Sequence, residues 1–126
     1  DQHNQPFTVI ADRAIQKDKD TVELQNIRAE MSQNNGDWLA LNSGKGELNL
    51  QTKKIKLEQQ VNMFYDGGYE FRTSEAHVDI DKGRAQGDTH IEGQGPAGTL
   101  EADSFIIEDR GKVIKFNGSV RMKLYP

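Results

Sequence analysis

Two adjoining stretches decide the reading of this chain: Tyr69-Glu-Phe-Arg-Thr-Ser-Glu-Ala-His-Val-Asp-Ile80 and Gly87-Asp-Thr-His-Ile-Glu-Gly-Gln-Gly-Pro-Ala-Gly-Thr-Leu-Glu-Ala-Asp-Ser-Phe105. In the first, Ala76, Val78 and Ile80 fall on one side and His77, Asp79 and Asp81 on the other. That is the two-residue period of a half-buried strand. Lys82-Gly83 turns the chain. Ala85, Gly87, Thr89 and Ile91 then share one face, and Gln86, Asp88, His90 and Glu92 the other. The inward face here is unusually small. Small residues inside a β-structure let another backbone approach or leave space.

The same punctuation runs through the whole chain. Phe7-Thr-Val-Ile10 is strand-like by its β-branched content, and residues 1–6 read as a frayed polar tail. The alternation over residues 21–32 changes phase near Gln25-Asn26, as a β-bulge would make it do. Asn34-Asn-Gly-Asp37 and Asp66-Gly-Gly68 are hairpin signals, because Asn and Gly accept the positive φ of tight turns. Turns recur every 8 to 12 residues, the spacing of an all-β roll or sandwich, and no capped segment of 3.6 period competes with it.

A repeat organises the strands. Gly46-Glu-Leu-Asn-Leu-Gln-Thr-Lys-Lys-Ile-Lys-Leu-Glu-Gln-Gln-Val61 aligns without gaps on residues 76–91. Residues 102–120 form a looser third copy, and residues 11–27 a weaker fourth. The unit is strand–turn–strand, which cannot bury its apolar face alone and must stack on its copies. The predicted fold is a single all-β domain over residues 1–126. It is an elongated antiparallel roll of stacked strand–turn–strand repeats, apolar inside and open at both ends.

Composition narrows the function. A net charge of −4 argues against nucleic acid, which needs a basic face. The absence of Cys removes thiolate chemistry and disulfides. With 34% hydrophobic residues the core is lean, but its residues are patterned, which separates the chain from disordered sequences. Gly93-Gln-Gly-Pro-Ala-Gly98 matches G-x-G-x-x-G, yet Pro96 lies inside it and no α/β alternation surrounds it. It reads as a loop, its glycines letting the backbone switch between sheets. His77 and His90 fall on outward charged faces and complete no metal-ligand spacing. The carboxylates fall in turns or on outer faces, not among apolar residues where a general acid would be tuned. The expectation is a protein without catalytic activity and without a cofactor.

The inward set carries the functional reading. It comprises Leu48, Leu50, Ile55, Leu57, Val61, Met63, Phe71, Val78, Ile80, Ala85, Gly87, Ile91, Leu100, Phe105, Val113, Phe116, Val120 and Met122. An ordinary core accounts for most of them. Large and very small members stand at neighbouring repeats, however, and an open-ended roll so lined can hold acyl chains between its sheets. The flexible Met63 and Met122 suit an adaptable apolar wall.

Three runs together resemble the lipopolysaccharide export protein C family (LptC): residues 68–80, residues 93–105, and Val113-Ile-Lys-Phe-Asn-Gly-Ser-Val-Arg-Met122. The resemblance implies a periplasmic β-jelly-roll carried by an N-terminal membrane anchor, and the chain, which opens on Asp1 without Met, reads as the trimmed soluble part. It implies binding of lipopolysaccharide received from an inner-membrane ATP-driven (ABC) extractor and passed to the soluble bridge protein A. The N-terminal strand Phe7, Thr8, Val9 and Ile10 would meet the extractor. The C-terminal strand Ser119, Val120, Arg121, Met122, Lys123 and Leu124 would meet bridge protein A by β-augmentation. It also implies that a glycine of the 93–98 loop matters, without choosing among Gly93, Gly95 and Gly98. Two other readings stay open: bridge protein A itself or another protein with the same roll, and a β-solenoid carbohydrate-active enzyme, whose mark would be an inward carboxylate cluster. Exposed strand edges further predict head-to-tail self-association.

Overall fold

A computed structural model of the protein describes residues 7–32 and 38–126. The tail at 1–6 and the turn at 34–37 lie outside the described residues. The chain forms β1 (Phe7–Gln16), β2 (Thr21–Ser32), β3 (Trp38–Asn49), β4 (Lys54–Tyr65), β5 (Tyr69–Asp79) and β6 (Arg84–Gly87). It continues through β7 (Ile91–Gly95), β8 (Gly98–Ala102), β9 (Ser104–Glu108), a short 3-10 turn at Asp109–Gly111, β10 (Val113–Asn117) and β11 (Arg121–Leu124). All pairings are antiparallel, and each strand to β5 pairs with the next in sequence.

Beyond β5 the strands come in two halves. The far edge of β5 takes β7 against residues 70–73 and β6 against residues 77–79. β8 and β9 pair with β7 and β6 in the same way, and β11 and β10 close the order on β8 and β9. So β6 with β7, β8 with β9, and β10 with β11 are each one long strand interrupted midway.

The interruption is one line that crosses the whole sheet. On β2 the buried side steps from Leu24 to Ile27, and on β5 from Thr73 to Ala76; an unbroken strand would keep the spacing even. β3 steps from Ser43 to Gly46, and the break between β8 and β9 steps from Ala102 to Phe105. β4 accommodates the line with an extra residue: Glu58 pairs Glu75 and Val61 pairs Thr73, with Gln59 and Gln60 both at φ 62°. On β2, Asn26 stands at φ 52° with the register kept. The phase change read near Gln25-Asn26 is therefore a left-handed residue rather than a bulge; the bulge is on β4. Extra residues recur between β6 and β7 and between β10 and β11, where the register again shifts by one.

Along this crease the sheet bends into two facing layers. The first layer holds residues 7–11, 27–32, 38–43, 61–65 and 69–73 with β7, β8 and β11. The second holds the remaining strand halves with β6, β9 and β10. The Phe116 ring of β10 packs on Phe71 of β5 at 5.4 Å between centroids, and Gly111 lies against Tyr65 and Leu39. One apolar cluster fills the space, with Leu57, Val61, Met63, Ile91 and Phe105 essentially inaccessible. The polar groups that bending exposes are paired locally. Thr73 Oγ1 donates to the His90 carbonyl at 2.9 Å and lies 2.7 Å from Thr89 Oγ1, and the Asp103 N–H reaches the Gly118 carbonyl at 2.9 Å. On the outer side Asn26 Nδ2 donates to Asp12 and Asn62 Nδ2 to Asn42.

The sequence repeat is the hairpin from crease to end and back. Its turns share a device: Asp18 Oδ1 accepts the N–H groups of Asp20 and Thr21, Asn49 Oδ1 those of Gln51 and Thr52, and Asp79 Oδ1 that of Lys82. The Asp20 amide, with that of Thr21, holds the exposed Asp18 carboxyl below its ordinary pKa.

Four sequence expectations are corrected. Leu50 sits past the end of β3 in the turn, its N–H on the Asp20 carbonyl, and is 47% exposed because the chain has left the covered face of the sheet there. Val113, Val120 and Met122 are also exposed. The 93–98 loop is a tight hairpin, β7 to β8 through Pro96-Ala97, and does not carry the chain between layers. The small stripe does not leave space either: Ala85 is buried, and the room at Gly87 is taken by the ring of its register partner Phe105. A Cβ at Gly87 would stand 2.5 Å from Phe105 Cε1 and 2.8 Å from the Glu75 carbonyl oxygen.

Two outcomes follow. Gly87→Val should cost about 1–3 kcal/mol by overpacking, and the extra cost should shrink but not vanish in a Phe105→Ala background, because the Glu75 carbonyl oxygen stays in place, read by urea unfolding. Gln60→Gly should raise the unfolding midpoint slightly, since a left-handed non-glycine residue costs about 1–2 kcal/mol and glycine returns only part of that as chain entropy.

Candidate functional site

Of the residues assigned to the interior, Leu57, Val61, Met63, Phe71, Val78, Ala85, Ile91 and Phe105 are buried in the common cluster, and Leu48, Ile80 and Phe116 pack against it half-buried. This region is closed. The apolar opening is elsewhere, at the rim of the first layer. A cavity of about 190 Å³ lies there between Tyr69 and Phe71 of β5, the β7–β8 hairpin with Leu100, Phe116 of β10, and Met122 and Leu124 of β11.

The opening exists because the two layers are offset. Phe116 faces Phe71, so among the described residues nothing covers the inner side of β11, and Met122 and Leu124 remain 60% and 67% exposed. The glycines shape its wall. Gly93 is the register partner of Phe71, and a Cβ there would strike that ring; a Cβ at Gly95 would strike the ring of Tyr69. The aromatic rings lie flat across the glycines and form the floor of the mouth. Gly98, at φ 151°, lets the Lys123 backbone of β11 come close enough to pair. Tyr65 meets Phe71 edge-on at 5.7 Å, so Tyr65, Phe71 and Phe116 form a row between mouth and core. Burial pushes the Tyr65 phenol far above its ordinary pKa, which keeps it neutral.

β1 pairs only with β2, and β11 only with β8, so each leaves one edge unpaired among the described residues. Ser119, at φ 45°, and Val120 belong to the crease rather than to the C-terminal strand. His77 and His90 are exposed and pair with Glu75 and Glu92 at 3.1 and 3.4 Å, contacts of little energetic weight at such exposure. The buried polar residues of the described core are Ser43 and Thr73. The interior reading did not find Tyr69 and Leu124 of the mouth. The available signal was positional: all three tyrosines and the one tryptophan fall at strand ends or termini on this rim.

A family model described as lipopolysaccharide-assembly, LptC-related, matches residues 4–125. The chain belongs to that LptC-related family. No curated sequence matches it. Among solved structures it is similar to the crystal structure of LptH from Pseudomonas aeruginosa, the LptA-homologous periplasmic component of the conserved lipopolysaccharide transport device. That similarity has TM-score 0.73 at 11% identity and covers 99% of each chain. It shows that this LptC-related domain has the LptA-like β-jelly-roll fold, as the repeat and the resemblance led one to expect.

The mouth depends on β11 staying on β8. Gly98→Ala should therefore speed hydrogen exchange of the β11 amides by roughly tenfold or more, while amides of β2–β4 keep their protection.

Proposed function

We propose that this LptC-related protein is a non-enzymatic lipopolysaccharide-binding relay of the periplasmic transport bridge. The match of the lipopolysaccharide-assembly family over residues 4–125 carries the reading. The apolar mouth supports it, because exposed Met122 and Leu124 beside Phe71 and Phe116 suit acyl chains rather than a polar substrate. Acyl chains enter at the mouth and reach the space between the layers as the Phe71–Phe116 ring pair parts. Leu57, Val61, Met63, Val78, Ile91 and Phe105 then line their path.

The protein sits in the periplasm, held at the inner membrane by a segment upstream of this sequence. It receives lipid from the ABC extractor through the open edge of β1 and delivers it to bridge protein A through the open edge of β10 and β11. Main-chain pairing at these edges builds a continuous apolar trough across the proteins.

A photocrosslinking scan with purified lipopolysaccharide tests this. A photoreactive residue replaces Phe71, Phe116 or Met122, and in parallel the outward Asp79 or Glu92. Adducts at the first three and none at the last two are expected. Adducts at none of the five, or equally at all, would sink the relay reading and leave a scaffold acting only through its edges.

A further inference from the structure

A second depression, of about 270 Å³, opens on the other side of the aromatic row from the apolar mouth. Trp38, Leu39, Tyr65, Asp66, Arg110, Gly111 and Lys112 line it. It forms where the β9–β10 turn of the second layer closes on the ends of β3 and β4 in the first. Gly111 makes the approach, with Tyr65 Cε1 and Leu39 within 4 Å of its Cβ position. The turn is held in place by an N–H bond from Arg110 to the Gly83 carbonyl at 2.9 Å and from Lys112 to the Asp109 carbonyl at 3.1 Å.

Its chemistry differs from that of the mouth. Among the described residues its lining includes two cationic side chains, Arg110 and Lys112, and the carboxylate Asp66, on a protein whose net charge is −4. Trp38 offers a flat ring that is 44% exposed, and an aromatic face takes up apolar C–H surfaces such as one face of a sugar ring and attracts cations placed over it. Among the described residues the buried Tyr65 hydroxyl has no hydrogen-bond partner. A buried phenol without one is a costly arrangement that a ligand oxygen would relieve. The cleft and the mouth are joined by the row Tyr65, Phe71 and Phe116, with centroids 5.7 and 5.4 Å apart. One amphiphile can reach both.

We infer that the Trp38–Tyr65–Arg110–Lys112 cleft is the head-group subsite: it takes the phosphorylated saccharide head of the glycolipid whose acyl chains enter the apolar mouth. This rests on the relay reading for its acyl half. Arg110 and Lys112 pair with a phosphate oxygen, the Tyr65 hydroxyl donates to a sugar or phosphate oxygen, and Trp38 stacks on a sugar ring.

Trp38 is the only tryptophan in the chain, so its emission reports on the cleft without a label. The protein is titrated with a phosphorylated hexa-acyl disaccharide lipid and with the same lipid after removal of its phosphates. The phosphorylated lipid should shift Trp38 emission and bind at least about fivefold more tightly than the other. In Lys112→Gln, and in Arg110→Gln with Lys112→Gln, that preference should shrink towards one. The comparison of the two lipids on the unaltered protein stands even if a variant folds poorly. Equal affinity for both lipids, or silent Trp38 emission while adducts form at Phe71 and Phe116, overturns the head-group subsite and leaves the relay intact. Emission that responds to the phosphorylated lipid without adducts at Phe71 and Phe116 supports the subsite and overturns the relay's acyl path.

Discussion

Everything in this molecule depends on bending a hydrogen-bonded sheet across its strands without abandoning its backbone pairs. A buried amide or carbonyl left without a partner costs as much as a lost hydrogen bond, so the bend must be made where partners can be supplied. Here each strand bends at the same level. Thr73 and Ser43 satisfy the interior of that line with hydroxyls, and Asp12, Asn26, Asn42 and Asn62 pair along its outside. The left-handed residues Asn26, Gln59 and Gln60 take the strain. The return on that strain is a two-layer body in which residues distant in sequence, Phe71 and Phe116, share one core.

The second constraint is volume. Two layers close together only if large side chains on one strand meet small ones on the next. Phe105 lies over Gly87 and Phe71 over Gly93, each pair in register, and the Tyr69 ring lies over Gly95. The glycines are thus not gaps but seats for rings. That is why the interior is full, and why the apolar opening is found at the rim, where the layers slide out of alignment and β11 has no counterpart among the described residues.

Much of this was legible in the residues. The gapless match of residues 46–61 with 76–91 was the crease-to-crease hairpin, and its last position returns as Ile27, Val61 and Ile91, each buried just past the line. Alternation placed core members of β4 and β5, and Phe105 though not Ile107 of β9, because each strand keeps one covered face. It failed at Leu50 and Met122 for one reason. Period tells which side a residue takes, but not whether anything stands opposite that side. Coverage is a property of how two layers are offset, which no single strand encodes. Likewise a small residue in the sequence does not disclose whether a neighbour's ring fills its place. The cleft beside Trp38 was illegible because it joins the start of β3 to the β9–β10 turn across the layers, a contact set by the twist and not by any local motif.

From β4 onward the surplus residue at the crease falls on every second strand: on β4, then between β6 and β7, then between β10 and β11. Each hairpin therefore contains its own complete bend. A copy of one hairpin inserted beside another would bring its curvature, its pairing parity and its share of the interior with it. Such a body can lengthen by gene duplication in whole units of about thirty residues without redesign of what is already there. Its length is then free to be set by the distance to be crossed, while the cross-section that meets the cargo stays constant.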